Sequence, residues 1–308
     1  MKYLFLSFLL MMIINTIEAQ HMQKIEDFGT NQGELDLYFY QPNGTDNEEL
    51  PLLVVLHGCG QNAEEYAKYS GWNVLANQSK FRVIYPQQKL ENQQYGCFNW
   101  YNKEDVTKGS GEVQSIAEMV DFIKKKHPTS KVFINGLSAG GVMANALLHN
   151  YPELFDAGCI IAGIPFTDGV GMAKALELMQ KSTINWTQDV LTSAQKPDMM
   201  IIHGNKDKVV NVSNAEQLLL QFFHFYQLDP MRMERHSSSK KINDQYTVQV
   251  SKYQSKNLLI QKVIMDGLDH GLPMDHLPNN ESYKYYLQTG YNSTLEIGKF
   301  FGLVEVEE

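Results

Sequence analysis

The chain has 308 residues, 43% of them hydrophobic and 20% charged, with a formal net charge of −9 at pH 7. That length supports a sizeable core, and the balance is that of a globular protein. The acidic charge excludes the electrostatics of a nucleic-acid binder, since no basic run exceeds Lys124–Lys126. That run reads as the solvated end of a helix.

The first twenty residues, MKYLFLSFLLMMIINTIEAQ, carry Lys2, an apolar run from Tyr3 to Ile14 and the small residue Ala19. This is the pattern of a secretory leader. The expectation is a signal peptide over 1–19 and a secreted chain (extracellular or periplasmic) from Gln20, folded as one domain over 20–308. The run is short for a membrane span and no second one follows, so no stable membrane insertion is expected after cleavage. Export gives the three cysteines a disulfide arithmetic of one bridge and one leftover thiol. Cys59 (HGCGQ) and Cys97 (YGCFNW) sit in Gly-flanked, loop-like settings, whereas Cys159 sits in the apolar run CIIAGI. A Cys59–Cys97 bridge is expected, contributing roughly 3–4 kcal/mol in the chain-entropy view. Sequons such as Asn43 and Asn185 matter only in a glycosylating host.

After the leader, apolar runs and helical patterns alternate. PLLVVLHG (51–58) reads as a strand, 62–80 as a helix and FRVIYP (81–86) as a strand. Residues 111–126 place Val113, Ile116, Val120 and Ile123 on one helical face. KVFIN (131–135) is strand-like, 139–150 helical, and 157–165 and DMMIIHG (198–204) are strand-like. Residues 212–226 read as a helix, NLLIQKVIMD (257–266) as a strand, and 282–301 contain a helix. Short apolar strands alternating with helices predict an α/β fold: a mostly parallel central sheet with helices on both faces. Such a sheet binds ligands beyond the carboxyl ends of its strands.

The chemistry-bearing residues fall at those ends. Gly136-Leu137-Ser138-Ala139-Gly140 lies between strand KVFIN and a helix, the context in which a G-x-S-x-G turn presents its serine as a nucleophile. A serine hydroxyl needs a base, and a histidine base needs an acid to orient it, in chain order Ser, acid, His. Of nine histidines, His236 lies in a Ser/Lys-rich loop, and His270 alone follows directly on a strong late strand, in MDGLDHG. The expected acid is Asp207, in the loop after DMMII. Asp198 lies at that strand's other end, Asp269 adjoins His270, and Asp229 is the reserve. Oxyanion donors are expected from the N–H of Ala139 and from the HGCG loop, with Cys59 N–H the candidate. A Cys59–Cys97 bridge would pin that donor. Trp72, Tyr95, Phe98, Trp100 and Tyr101 fall near these loops. Trp72 and Trp100 are the expected substrate-binding residues of an apolar cleft. Residues 167–197 suit either a cap over the site or an ordinary crossover. The chain lacks HExxH, paired CxxC, P-loop and opening GxGxxG patterns, so neither a metal nor a cofactor is expected.

The segments LVVLHGCGQNAEEYAKYSGWNVLA, YGCFNW, GSGEVQSIAEMVDFI, INGLSAGGVMANALL and GLDHGLP resemble the esterases of the poly(3-hydroxybutyrate) depolymerase family. The resemblance runs from about Pro51 to Gly302. It implies a secreted α/β-hydrolase related to feruloyl and acetylxylan esterases, with Ser138, Asp207 and His270 as triad and Cys59, bridged to Cys97, as oxyanion donor. It departs from many relatives in having no cysteine after Cys159. The expected activity is carboxylic-ester hydrolysis through an acyl-enzyme, on short-chain polyhydroxyalkanoate or its oligomers. The alternatives are a feruloyl or acetylxylan esterase and, in another class, an inactive binding protein on a hydrolase scaffold.

Overall fold

The computed structural model describes residues 22–180, 190–191, 195–277 and 283–305. The leader and the sequon at Asn185 lie outside them. Ten strands form the main sheet: β1 (Gln23–Ile25), β2 (Asp36–Tyr40), β3 (Leu50–Leu56), β4 (Arg82–Gln87), β5 (Thr129–Leu137), β6 (Ala157–Ile161), β7 (Asp198–Gly204), β8 (Glu234–Lys241), β9 (Thr247–Ser255) and β10 (Leu258–Asp266). Their order is β1-β2-β4-β3-β5-β6-β7-β10-β9-β8. From β4 through β10 the neighbours run parallel. β1 and β2 close one edge antiparallel, and β9 and β8 the other.

The parallel strands are covered on both faces, which is why they read as continuous apolar runs. In β5, Val132 and Ile134 enter one layer of the core while Phe133 and Leu137 enter the other. The first layer packs against α3 (Gly111–Lys126), α4 (Ala139–Asn150), α5 (Met172–Gln180) and α6 (Ser213–Phe225). The second packs against α1 (Ala63–Ser70), α2 (Trp72–Ser79) and α7 (Ser293–Phe300). No described helix is long and apolar enough to cross a membrane.

Two expectations need correction. The single helix expected over 62–80 is two helices, because Gly71 takes φ 77° between them. Asn62 caps the first by accepting from the Glu65 amide at 2.8 Å. The Ser/Lys-rich segment around His236, expected as a loop, is β8, exposed along its whole length. It pairs with β9 along its backbone, with Arg235 over the Tyr253 ring, and without a buried face it carries no alternating apolar signal.

Candidate active site

Ser138 follows β5 at the N-cap position of α4 with φ 55° and ψ −120°, a conformation that costs a residue with a β-carbon. The neighbouring glycines make the turn possible. A β-carbon on Gly136 would stand 2.2 Å from the Gly140 carbonyl oxygen, and one on Gly140 would stand 2.4 Å from the Leu56 carbonyl oxygen. Strand, turn and helix therefore close to backbone contact beside β3. The Ser138 amide donates to Ile161 O at 2.8 Å, and Val142 N donates to Ser138 O at 2.9 Å. The hydroxyl is left to face outward from the sheet.

That hydroxyl meets His270, whose Nε2 is 2.9 Å from Ser138 Oγ and whose Nδ1 is 2.7 Å from Asp207 Oδ2. Asp207 is fully buried and His270 nearly so. Burial opposes charge on the Asp207 carboxyl. The hydrogen bonds from His203 and His270, with the Val210 amide, outweigh it and hold the group below the usual carboxylate range. An ionised Asp207 accepts only, so the proton of the neutral His270 ring sits on Nδ1. Nε2 is then free to accept from the serine hydroxyl. Asp207 Oδ1 is held by the amides of Val209 and Val210 at 2.9 and 2.8 Å.

Asp269 is no rival acid. Its Oδ1 accepts from the amides of His270 and Lys208 at 2.8 and 3.1 Å, tying the base loop to the acid loop. Asp198, at the start of β7, holds Leu259 N at 2.7 Å, and Asp229 caps the turn at 230–232. Tyr285 stands edge-on to the His270 ring, with centroids 5.7 Å apart.

On the other side of Ser138 the HGCG loop follows β3. Cys59 is bonded to Cys97, and Cys159 is a buried free thiol. Cys59 and Ala139 both border the cavity in front of Ser138. Ala139 opens α4, where backbone amides lack an intrahelical acceptor. His57 and Glu112 brace this loop, roles that the sequence patterns did not signal. His57 Nδ1 donates to Gly58 O at 2.9 Å while Nε2 accepts from Gln88 N at 3.1 Å. Burial pushes the His57 imidazole down to about 4, against the Gly58 hydrogen bond, so the ring is neutral. Gln88 Nε2 reaches Cys97 O at 3.1 Å and also donates to Glu112 Oε1. Glu112, at the start of α3, further accepts from Asn99 N at 2.8 Å and Asn99 Nδ2 at 2.9 Å. Its burial outweighs these donors and pushes its carboxyl up to about 8.

The cavity has a volume of about 400 Å³, and no charged residue lines it among the described residues. Trp100, Tyr101, Val142 and Ile164 wall it, and Tyr95 stands at its edge. α5 supplies Met172, Ala175, Leu176 and Met179. α5 belongs to the segment 167–197, of which residues 181–189 and 192–194 lie outside the described residues. Trp72 must be corrected. It is wholly buried in the opposite core layer, edge-on to Phe81, and does not border the cavity. Its place opening α2, on the other face of the sheet, keeps it from the substrate. Phe98 is likewise buried, against His57.

A mostly parallel sheet, with a serine on a strand–helix turn followed by an acid and a histidine, defines the α/β-hydrolase class. Residues 35–240 match the family described as esterase PHB depolymerase. The chain is 30% identical to poly(3-hydroxyalkanoate) depolymerase C of Paucimonas lemoignei, over 96% of this chain and 73% of that protein. It is 29% identical to feruloyl esterase B of Thermothelomyces thermophilus, over 67% of this chain and 76% of that one. Acetylxylan esterase A of Aspergillus oryzae is 30% identical over 66% of this chain and 71% of its own length. Among solved structures, an acetyl xylan esterase from Aspergillus awamori superposes with a TM-score of 0.71 at 21% identity, covering 92% of this chain and all of that one. The chain belongs to the family of PHB depolymerase esterases and is a hydrolase of the esterase class.

Proposed function

We propose that the chain is an exported serine esterase that hydrolyses short-chain polyhydroxyalkanoate or its oligomers through an acyl-enzyme. The observation that carries this reading is the Ser138–His270–Asp207 relay, with contacts of 2.9 and 2.7 Å, opening onto a cavity whose described lining carries no charge. In the proposed reaction, Ser138 Oγ attacks the ester carbonyl as His270 Nε2 takes its proton. The amides of Ala139 and Cys59 hold the oxyanion, and His270 returns the proton to the leaving alcohol. Water, deprotonated by the same nitrogen, then attacks the acyl-serine and frees the acid. Asp207 keeps the His270 tautomer and stabilises the imidazolium at each step. No cofactor or metal has a step in this reaction.

The mouth of the cavity supports an apolar polyester as substrate. Tyr95, Met172 and Leu176 are 63%, 43% and 55% exposed there, a placement that suits contact with a water-poor surface. The 73% span over the Paucimonas depolymerase supports the same choice. The Cys59–Cys97 bridge favours an oxidising compartment, in keeping with the leader proposed over 1–19 and one domain over 20–308. The aromatic wall of Trp100 and Tyr101 favours, as second reading, an aromatic acyl group of the feruloyl kind.

The test is acid release from amorphous poly(3-hydroxybutyrate) granules by the mature protein and by Ser138→Ala. Release by the wild type, lowered at least about 10⁴-fold in the variant, is expected. Release of ferulate or acetate from plant-wall esters, with none from granules, would transfer the assignment to the second reading. A folded protein that hydrolyses none of these, and whose Ser138 is not labelled by a fluorophosphonate, would instead be a binding protein.

A further inference from the structure

Asp207 is met by a second imidazole. His203, near the end of β7, has a fully buried side chain. Its Nε2 lies 2.9 Å from Val210 O and 3.4 Å from Asp207 Oδ2. Both neighbours are acceptors, a carbonyl and a carboxylate, so Nε2 carries the ring proton and shares it between them, with the longer arm to Asp207. Nδ1 is buried with no hydrogen-bond partner among the described residues. An unmatched buried nitrogen is destabilising, a cost that an aliphatic side chain of similar volume would avoid. The imidazole is therefore a poor choice for filling space and a good one for presenting a donor.

The donor goes where the backbone does not reach. The amides of Val209 and Val210 hold Oδ1 of Asp207, whereas Oδ2 is met by side chains alone, His270 and His203. Val210 is held twice, its amide by Asp207 and its carbonyl by His203, and it borders the cavity. We propose that His203 is a positioning residue of the esterase. It fixes the rotation of the Asp207 carboxylate so that Oδ2 is aimed at His270 Nδ1–H, and it locks the acid loop to the cavity wall. The role rests on the triad reading given above. It acts on turnover through Asp207 and makes no contact with substrate.

The test is steady-state kinetics on a soluble p-nitrophenyl ester, with His203→Leu and His203→Gln made in the wild-type and Asp207→Asn backgrounds and melting temperatures taken alongside. His203→Leu is expected to lower kcat about 10-fold with KM within about twofold, the pattern of a mis-set catalytic geometry. His203→Gln keeps a side-chain N–H and is expected to recover part of the loss. In the Asp207→Asn background, His203→Leu is expected to change kcat by less than about twofold, because its effect runs through the carboxylate. An unchanged kcat in folded His203→Leu, or an equal loss in both backgrounds, would overturn the role while leaving the triad intact. Full activity in Ser138→Ala would overturn the triad reading and this one with it. Should His203→Leu not fold, ¹⁵N-histidine NMR decides: the His203 Nε2–H resonance must move on Asp207→Asn, and an unmoved resonance overturns the proposal.

Discussion

On one side of Ser138, Asp207 and His270 stand on loops joined by hydrogen bonds to a buried negative charge, with Asp269 bridging the two loops through the Lys208 and His270 amides. On the other side, the HGCG loop and the Cys97–Trp100 segment are joined by a covalent bond and by Glu112, a carboxyl pushed up to about 8. The first side holds a charge that the proposed chemistry uses, so its hydrogen bonds must be right to tenths of an ångström. The second holds backbone and shape, so its parts set stability and the lie of an amide. The two sides should fail in different ways: the acid–base side in turnover with the fold intact, the oxyanion side in stability first.

Asp207→Asn probes the first side hardest. It should lower kcat roughly 10⁴-fold at neutral pH, because an amide can present its N–H to the ring and favour the wrong tautomer. The melting temperature should change far less. The native Asp207 value lies below the ordinary one, so its contribution to stability is present above the unfolded value of about 3.9 and fades as pH falls toward the folded value. Acid unfolding monitored by far-UV circular dichroism should therefore be shallower in Asp207→Asn. A variant that lost fold and turnover together would erase the contrast between the two sides.

Cys97→Ser, or reduction verified by thiol counting, should lower stability by about 3 kcal/mol in urea titration. Its effect on kcat should stay below the roughly 10²-fold that loss of an oxyanion donor costs. At Glu112 the sign of the pH dependence reverses relative to Asp207. Its folded value is raised from 4.5 to about 8, so the native state binds the extra proton in that window. Stability from this group is full below the unfolded value and lost as pH rises through the folded one. Thermal melts from pH 5 to 9 should show that decline in the wild type and its absence in Glu112→Gln. Asp269→Ala should cost least, a few-fold in kcat, because it removes an acceptor shared by the Lys208 and His270 amides and an ion pair with the exposed Lys208 side chain.

The sheet was legible because the central strands β3, β5 and β7 are buried on both faces over most of their length, so their residue choice is dictated by one solvent. The turn at Ser138 was legible because Gly136 and Gly140 admit no β-carbon, a constraint that leaves a trace in the sequence. The relay from Ser138 to Asp207 followed from chain order. Trp72 was misplaced because sequence proximity to Gly71 and the HGCG loop does not say which face of the sheet a helix covers. β8 was missed because an exposed edge strand is built from backbone pairing. His203, four residues before Asp207, is a signal of spacing that becomes informative only once the loop folds the two side chains together.

One wall of the cavity differs from the rest in what it can tolerate. Around Ser138 the backbone fills the available space, and at Cys59 the chain is cross-linked. Met172 and Leu176 on α5 are partly in solvent and bear no such constraint. The catalytic parts and the parts that shape the acyl group therefore sit on separate stretches of chain. A lineage, or a mutant library, can explore positions 172 and 176 without disturbing the serine turn. New ester preferences should emerge from α5, with the proton relay inherited unchanged.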